Sequence, residues 1–200
     1  MARLLLQLLA LQFIFIATVF GLFGSSNKLK GATKYQLQQK VLTLGSSYTI
    51  KDDHDKPLYK VGFKQLGLGK HLQLTDVSGA QEFYSIKHVI NPLGLAKYEI
   101  RSNNQVIAEV NRKINIIGGK KFSVKSKHGT FKIEGNFRSR EFKIKNGHHL
   151  VATVSKKFFA VGDKYGVQIE QGQDVPFILS LAIVIDESLM DKNQFFFFLQ

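Results

Sequence analysis

From Tyr35 to about residue 170, apolar and polar side chains alternate at period two, the spacing of strands that bury one face. The alternation is clearest at Tyr48 and Ile50, Leu72 and Leu74, Tyr98 and Ile100, Phe122 and Val124, Phe131 and Ile133, and Phe142 and Ile144. Each pair sets two large side chains on one side of a pleated strand. Turn-forming residues interrupt the pattern: "DDHDKP" at 52–57, "VSG" at 77–79, "SNN" at 102–104, "KHG" at 127–129 and "NG" at 146–147. Because Asn146 and Gly147 both tolerate positive φ, "IKNGHHL" is the strongest signal for a short hairpin.

The cadence is also an internal repeat. The segments "KVLTLGSSYTI" at 40–50, "KQLGLGKHLQL" at 64–74, "KINIIGGKKFSV" at 113–124 and "KFFAVGDKYGV" at 157–167 share a lysine, apolar positions, a glycine and an alternating strand. Between them "YTIKDDHDKPLYKVGFK", "YEIRSNNQVIAEVNRK" and "FKIKNGHHLVATVSKK" each run strand, polar turn, strand, basic end. A single hairpin cannot bury its own apolar face, so successive hairpins join one sheet. Roughly a dozen short strands in one domain predict a barrel or a sandwich.

"DVPFILSLAIVIDESLMD", residues 174–191, decides between them. Asp174 is a suitable N-cap, Pro176 falls in the first turn, and Ser180 is the only polar residue before Asp186 and Glu187 end the apolar section. A helix apolar all round must be buried on all sides, and about ten apolar residues are roughly half of what a bilayer crossing needs. The expected fold is a closed antiparallel β-barrel of about twelve strands around a buried hydrophobic C-terminal α-helix.

The combination of "YTIKDDHDKPLYKV", "YEIRSNNQVIAEV", "KKFFAVGDKYGVQI" and "PFILSLAIVID" resembles the LURP-one-related family, whose superfamily includes Tubby C-terminal domains and phospholipid scramblases. The resemblance spans about residues 35–191 and implies a twelve-stranded barrel enclosing a hydrophobic helix. It further implies phosphoinositide binding through basic residues, as in Tubby domains, or lipid movement between leaflets, as in scramblases. No stretch aligns with a scramblase calcium site.

Residues 1–24 form a separate hydrophobic segment, with a nearly uncharged run from Leu4 to Phe23. About 20 residues make a helix of about 30 Å, the thickness of a bilayer core, so the segment reads as a membrane anchor. A cleaved signal peptide is the alternative, with small residues at Gly24 and Ser26, and it would make the domain an exported interaction module. Lys28, Lys30, Lys34 and Lys40 after the run favour a cytoplasmic barrel if the segment is retained. Residues 25–34 read as a linker, 35–191 as the barrel domain and 192–200 as a hydrophobic tail containing Phe195 to Phe198.

Charge placement changes the picture most. The chain carries a formal +13, and residues 111–157 hold 13 Lys or Arg against two acids, Glu134 and Glu141, a local balance of +11. With Phe122, Val124, Phe131, Ile133, Phe142 and Ile144 facing the core, period two sends Lys125, Lys127, Lys132, Lys143 and Lys145 outward together. The candidate anionic lipid-binding residues are Lys120, Lys121, Lys125, Lys127, Lys132, Arg138, Arg140, Lys143 and Lys145. An anionic bilayer attracts such side chains by about 1 kcal/mol each. Nucleic acid would attract them too, but no exposed aromatics alternate with them as stacking platforms.

Other chemistry finds little support. The chain has no cysteine, which excludes disulfides, thiolate zinc sites and a cysteine nucleophile. "DDHDKP" lacks the length, central glycine and terminal glutamate of an EF-hand and reads as a hairpin turn. His148 and His149 are adjacent and would face opposite sides of a strand, so no metal site is expected. "GLGKH" at 67–71 lacks the third glycine and the helix of a dinucleotide fingerprint, and no nucleophile elbow or phosphate loop occurs. The expectation is a monomeric, non-enzymatic, membrane-associated domain without cofactor that binds anionic phospholipid, with a scramblase-like lipid mover as the alternative.

Overall fold

A computed structural model describes residues 29–42, 45–65, 70–89, 97–113, 121–158 and 164–197. The hydrophobic segment at 1–24, most of the 25–34 linker, "GLG" at 67–69, Lys120 and Phe198 lie outside these residues. Twelve strands succeed one another: β1 (Thr33–Leu42), β2 (Gly45–Lys51), β3 (Pro57–Gln65), β4 (Lys70–Asp76), β5 (Glu82–Val89), β6 (Lys97–Ser102), β7 (Gln105–Lys113), β8 (Lys121–Ser126), β9 (Gly129–Asn136), β10 (Glu141–Asn146), β11 (His149–Ser155) and β12 (Lys164–Ile169). A 3-10 turn, Lys156–Phe158, follows β11, and helix α1 spans Val175–Phe197.

Each strand pairs antiparallel with its neighbours in sequence, and β1 closes the barrel against β12, with Thr33 opposite Ile169 and Gln38 opposite Lys164. The period-two pattern is realised as an inner ring in which Leu37, Ile50, Leu74, Ile100, Val110, Val124, Ile133, Ile144 and Val167 are fully buried. This ring needs a filling, and α1 supplies it: every residue from Phe177 to Ile185 is at most 1% exposed. The helix is started as its sequence predicts, with Phe177 N–H donating to Asp174 Oδ1 at 3.0 Å. Ser180, the lone polar interruption, donates back to the Pro176 carbonyl at 2.9 Å and so needs no partner from the wall.

Five hairpin turns and the start of α1 share one end of the barrel. There Phe177 packs against Tyr84, His128 and Phe131, with centroids 4.8 to 6.0 Å apart. The opposite end carries the Phe137–Arg140 turn and the 3-10 turn. Asn103 and Asn104 both take positive φ, +48 and +64, as a two-residue primed turn requires.

Two details differ from the sequence reading. In "IKNGHHL" the turn residues are Gly147 and His148, because Asn146 pairs with His149 as the last residue of β10 and its side chain donates to the His128 carbonyl of the neighbouring hairpin. The helix backbone also continues past Asp191, where the sequence reading placed the end of the element, to Phe197, with Asp186 and Glu187 inside it. Among the described residues no helix is long and apolar enough to cross a membrane.

Candidate functional site

Strand register assembles the basic surface. Lys121 lies opposite Glu134, which lies opposite Lys143; Ser123 lies opposite Lys132, which lies opposite Lys145; Lys125 lies opposite Thr130. Alternation along β8, β9 and β10 turns these side chains outward while Phe122, Val124, Phe131, Ile133, Phe142 and Ile144 turn inward. Five of the nine candidates, Lys121, Lys125, Lys132, Lys143 and Lys145, therefore share one wall.

Glu134 sits in the middle of that wall. Its two carboxylate oxygens are 3.2 Å from Lys121 Nζ and 3.9 Å from Lys145 Nζ. Among the described residues, Lys125, Lys132 and Lys143 have no acidic partner and remain available to an external anion. Such half-exposed pairs contribute little to stability, so Glu134 acts on the surface potential more than on the fold.

The remaining candidates lie elsewhere. Lys127 is exposed on the β8–β9 turn at the helix-entry end, and Arg138 is exposed on the Phe137–Arg140 turn at the other end. Arg140 corrects the sequence reading, because its guanidinium turns toward Asp186 and only 17% of its side chain is exposed. Its Nε donates to Asp186 Oδ1 at 2.7 Å and its NH2 to Gln39 Oε1 at 3.2 Å, and its guanidinium stands 5.1 Å from the Tyr165 ring centroid. Arg140 lies in the turn between β9 and β10, where strand alternation does not set the direction of a side chain. Arg112, inside the basic stretch, is also partly buried: its Nε is enclosed and has no hydrogen-bond partner among the described residues.

Arg140 belongs to a buried polar cluster under the end of the barrel. The Tyr48 hydroxyl lies 2.8 Å from Glu187 Oε1 and 3.2 Å from Asp186 Oδ2, and it accepts from Gln39 Nε2 at 3.0 Å. Burial raises the Asp186 carboxyl above its ordinary range, although Arg140 and Tyr48 pull it the other way. Burial would lower the Arg140 guanidinium, but the Asp186 charge reverses the balance and holds it above its usual value. Burial and the nearby carboxylates push the Tyr48 and Tyr165 hydroxyls well up. The sequence held one signal for this cluster, a pair of acids continuing an otherwise apolar helix.

The "DDHDKP" stretch is a turn. Asp52 Oδ1 accepts from the backbone of His54 and Lys56, both at 2.9 Å, and Asp55 takes φ +66. Ligand atoms of Asp52, Asp53 and His54 lie within 4.8 Å of one another, but the Asp52 oxygen is committed to the turn. His149 contacts Glu170 at the base of α1, while His148 lies in the hairpin turn, so the pair is not brought together.

Comparison with known proteins extends these observations. The family model described as LURP-one-related matches residues 33–186. The uncharacterised protein YxjI of Bacillus subtilis is 30% identical over 157 residues, which cover 78% of this chain and 94% of that protein. The X-ray structure of the Arabidopsis thaliana protein AT5G01750 superposes with a TM-score of 0.57 at 19% identity, covering 78% of this chain and 91% of that one. That likeness is one of fold: a closed barrel with a helix through it.

Proposed function

Since the chain belongs to the LURP-one-related family and has its Tubby-like fold, we propose that it is a non-enzymatic, membrane-associated barrel that binds anionic phospholipid headgroups through the outer face of β8, β9 and β10. The hydrophobic segment at 1–24 holds the barrel at the membrane on its cytoplasmic side, where anionic lipid is concentrated. The observation that carries this reading is the register that brings Lys121, Lys125, Lys132, Lys143 and Lys145 onto three adjacent strands. At about 1 kcal/mol for each lysine near an anionic surface, several acting together would orient a tethered barrel with this wall against the bilayer. Phosphoinositides, with several charges on one headgroup, fit a surface whose cations lie in adjacent rows.

The test is flotation of the full chain with neutral vesicles and with vesicles containing phosphatidylserine or a phosphoinositide. The two vesicle types, made at different densities, are offered together and compete for the chain, so anchor insertion favours neither and the partition between them reports on the headgroups. Binding is expected to favour anionic vesicles, to weaken as salt is raised, and to lose that preference in Lys125→Gln/Lys132→Gln. Glu134→Gln, which removes the carboxylate paired with Lys121 and Lys145, is expected to strengthen it. Equal recovery on neutral and anionic vesicles at low salt overturns the reading.

A further inference from the structure

At one border of the basic wall the surface changes character. An open groove of about 400 Å³ runs beside β9, β10 and β11 toward the 3-10 turn, and its lining is mostly carbon. Gly135 contributes no side chain to it, and a Cβ there would stand 2.3 Å from the Glu141 carbonyl oxygen, so the position is restricted to glycine. Phe158 forms the far side, with Lys34 Nζ 5.8 Å from its ring centroid on β1.

The polar groups around the groove divide into satisfied acids and unsatisfied bases. Ser155 donates to Glu141 Oε1 at 2.7 Å and accepts from Lys157 N–H at 3.1 Å, which ties the 3-10 turn to the wall and occupies Glu141. Glu134 is occupied by Lys121 and Lys145. Lys143 and Lys157 also line the groove, and among the described residues neither ammonium has an acidic partner. An apolar floor with two unpaired cations at its rim has the character of a site for a molecule that is apolar along its length and anionic at one end.

The geometry points to this groove as the seat of one anionic amphiphile, a single hydrocarbon chain lying against Gly135, Thr153 and Phe158 with its phosphate held by Lys143 and Lys157. It rests on the reading above for the source of that molecule, the anionic lipid surface that the neighbouring lysines face. It goes beyond that reading because headgroup attraction needs no chain contact, whereas this site discriminates by chain length.

The experiment titrates the full chain with hexyl, octyl and decyl phosphate, inorganic phosphate and octyl maltoside, following backbone amide shifts of Gly135, Thr153 and Ser155. Each added methylene is expected to tighten binding by about three- to fourfold until the groove is filled. Inorganic phosphate and octyl maltoside are expected to bind at least tenfold more weakly than octyl phosphate. Thr153→Phe, which fills the groove from an outward position, is expected to abolish alkyl phosphate binding while leaving the vesicle preference intact. Lys125→Gln/Lys132→Gln is expected to do the reverse, so each idea can fail without the other. Lys143→Gln/Lys157→Gln supplies a second test at exposed positions, with a loss of at least tenfold expected. Affinity that ignores chain length, shifts confined to other residues, or equal binding of inorganic phosphate overturns the proposal.

Discussion

Arg140 adopts φ +53, a conformation usually left to glycine or asparagine, while its guanidinium joins the β9–β10 turn to Asp186 inside the barrel. The ion pair outweighs the backbone strain, because Asp186 is only 4% exposed and would otherwise be a buried, unpaired charge. Arg140→Ala is therefore expected to destabilise the fold by about 3–5 kcal/mol in urea denaturation, and the neighbouring exposed Arg138→Ala by less than about 0.5 kcal/mol. Arg140→Gly relieves the strain and is still expected to be destabilising. The pH dependence has a definite sign. The Asp186 carboxyl is raised in the folded state, so the native protein binds its proton more tightly than the unfolded chain does. Its contribution is present below the ordinary carboxylate range and is lost as pH rises through the raised folded value. Denaturation at a series of pH values is expected to show this fall, and to lose this component in Asp186→Asn. These roles were hidden in the sequence because a basic residue in a basic stretch gives no indication that its turn points inward.

Helix α1 was the most legible element, and its reading differs from the structure only at the C-terminal end, which lies at Phe197 rather than Asp191. Nine residues from Phe177 to Ile185 are apolar apart from Ser180, and a helix without a polar face has nowhere to go but the centre. Leu181→Ala leaves a cavity with barrel wall on every side and is expected to lower stability by about 2–5 kcal/mol on chemical denaturation. Asp186 and Glu187 end the apolar section as read, but charge normally marks the surface, whereas Tyr48 and Arg140 receive them indoors. The hairpins were legible from alternation and turn residues together. The 146–149 turn shifted by one residue because Asn146 found its partner, the His128 carbonyl, in another hairpin.

For the molecule as a whole, antiparallel closure of β1 on β12 leaves no strand edge, so a partner must dock on a wall or at an end and cannot add a strand. Four of the five wall lysines, Lys125, Lys132, Lys143 and Lys145, could be read in advance because strand periodicity decides which way they point, whereas Lys127, read with them, lies on a turn. The groove beside the wall could not, since it depends on register across β9, β10 and β11 and on a turn that folds back on the sheet. Closure around α1 has a further consequence for the order in which the protein is made. The helix follows all twelve strands, so the ribosome delivers the whole inner wall before the element that fills it. At about 5–20 residues per second, the 23 residues of α1 take roughly one to five seconds to appear. For that interval the nascent barrel has apolar lining and no plug, and a message that stops short of α1 yields a shell that never acquires one.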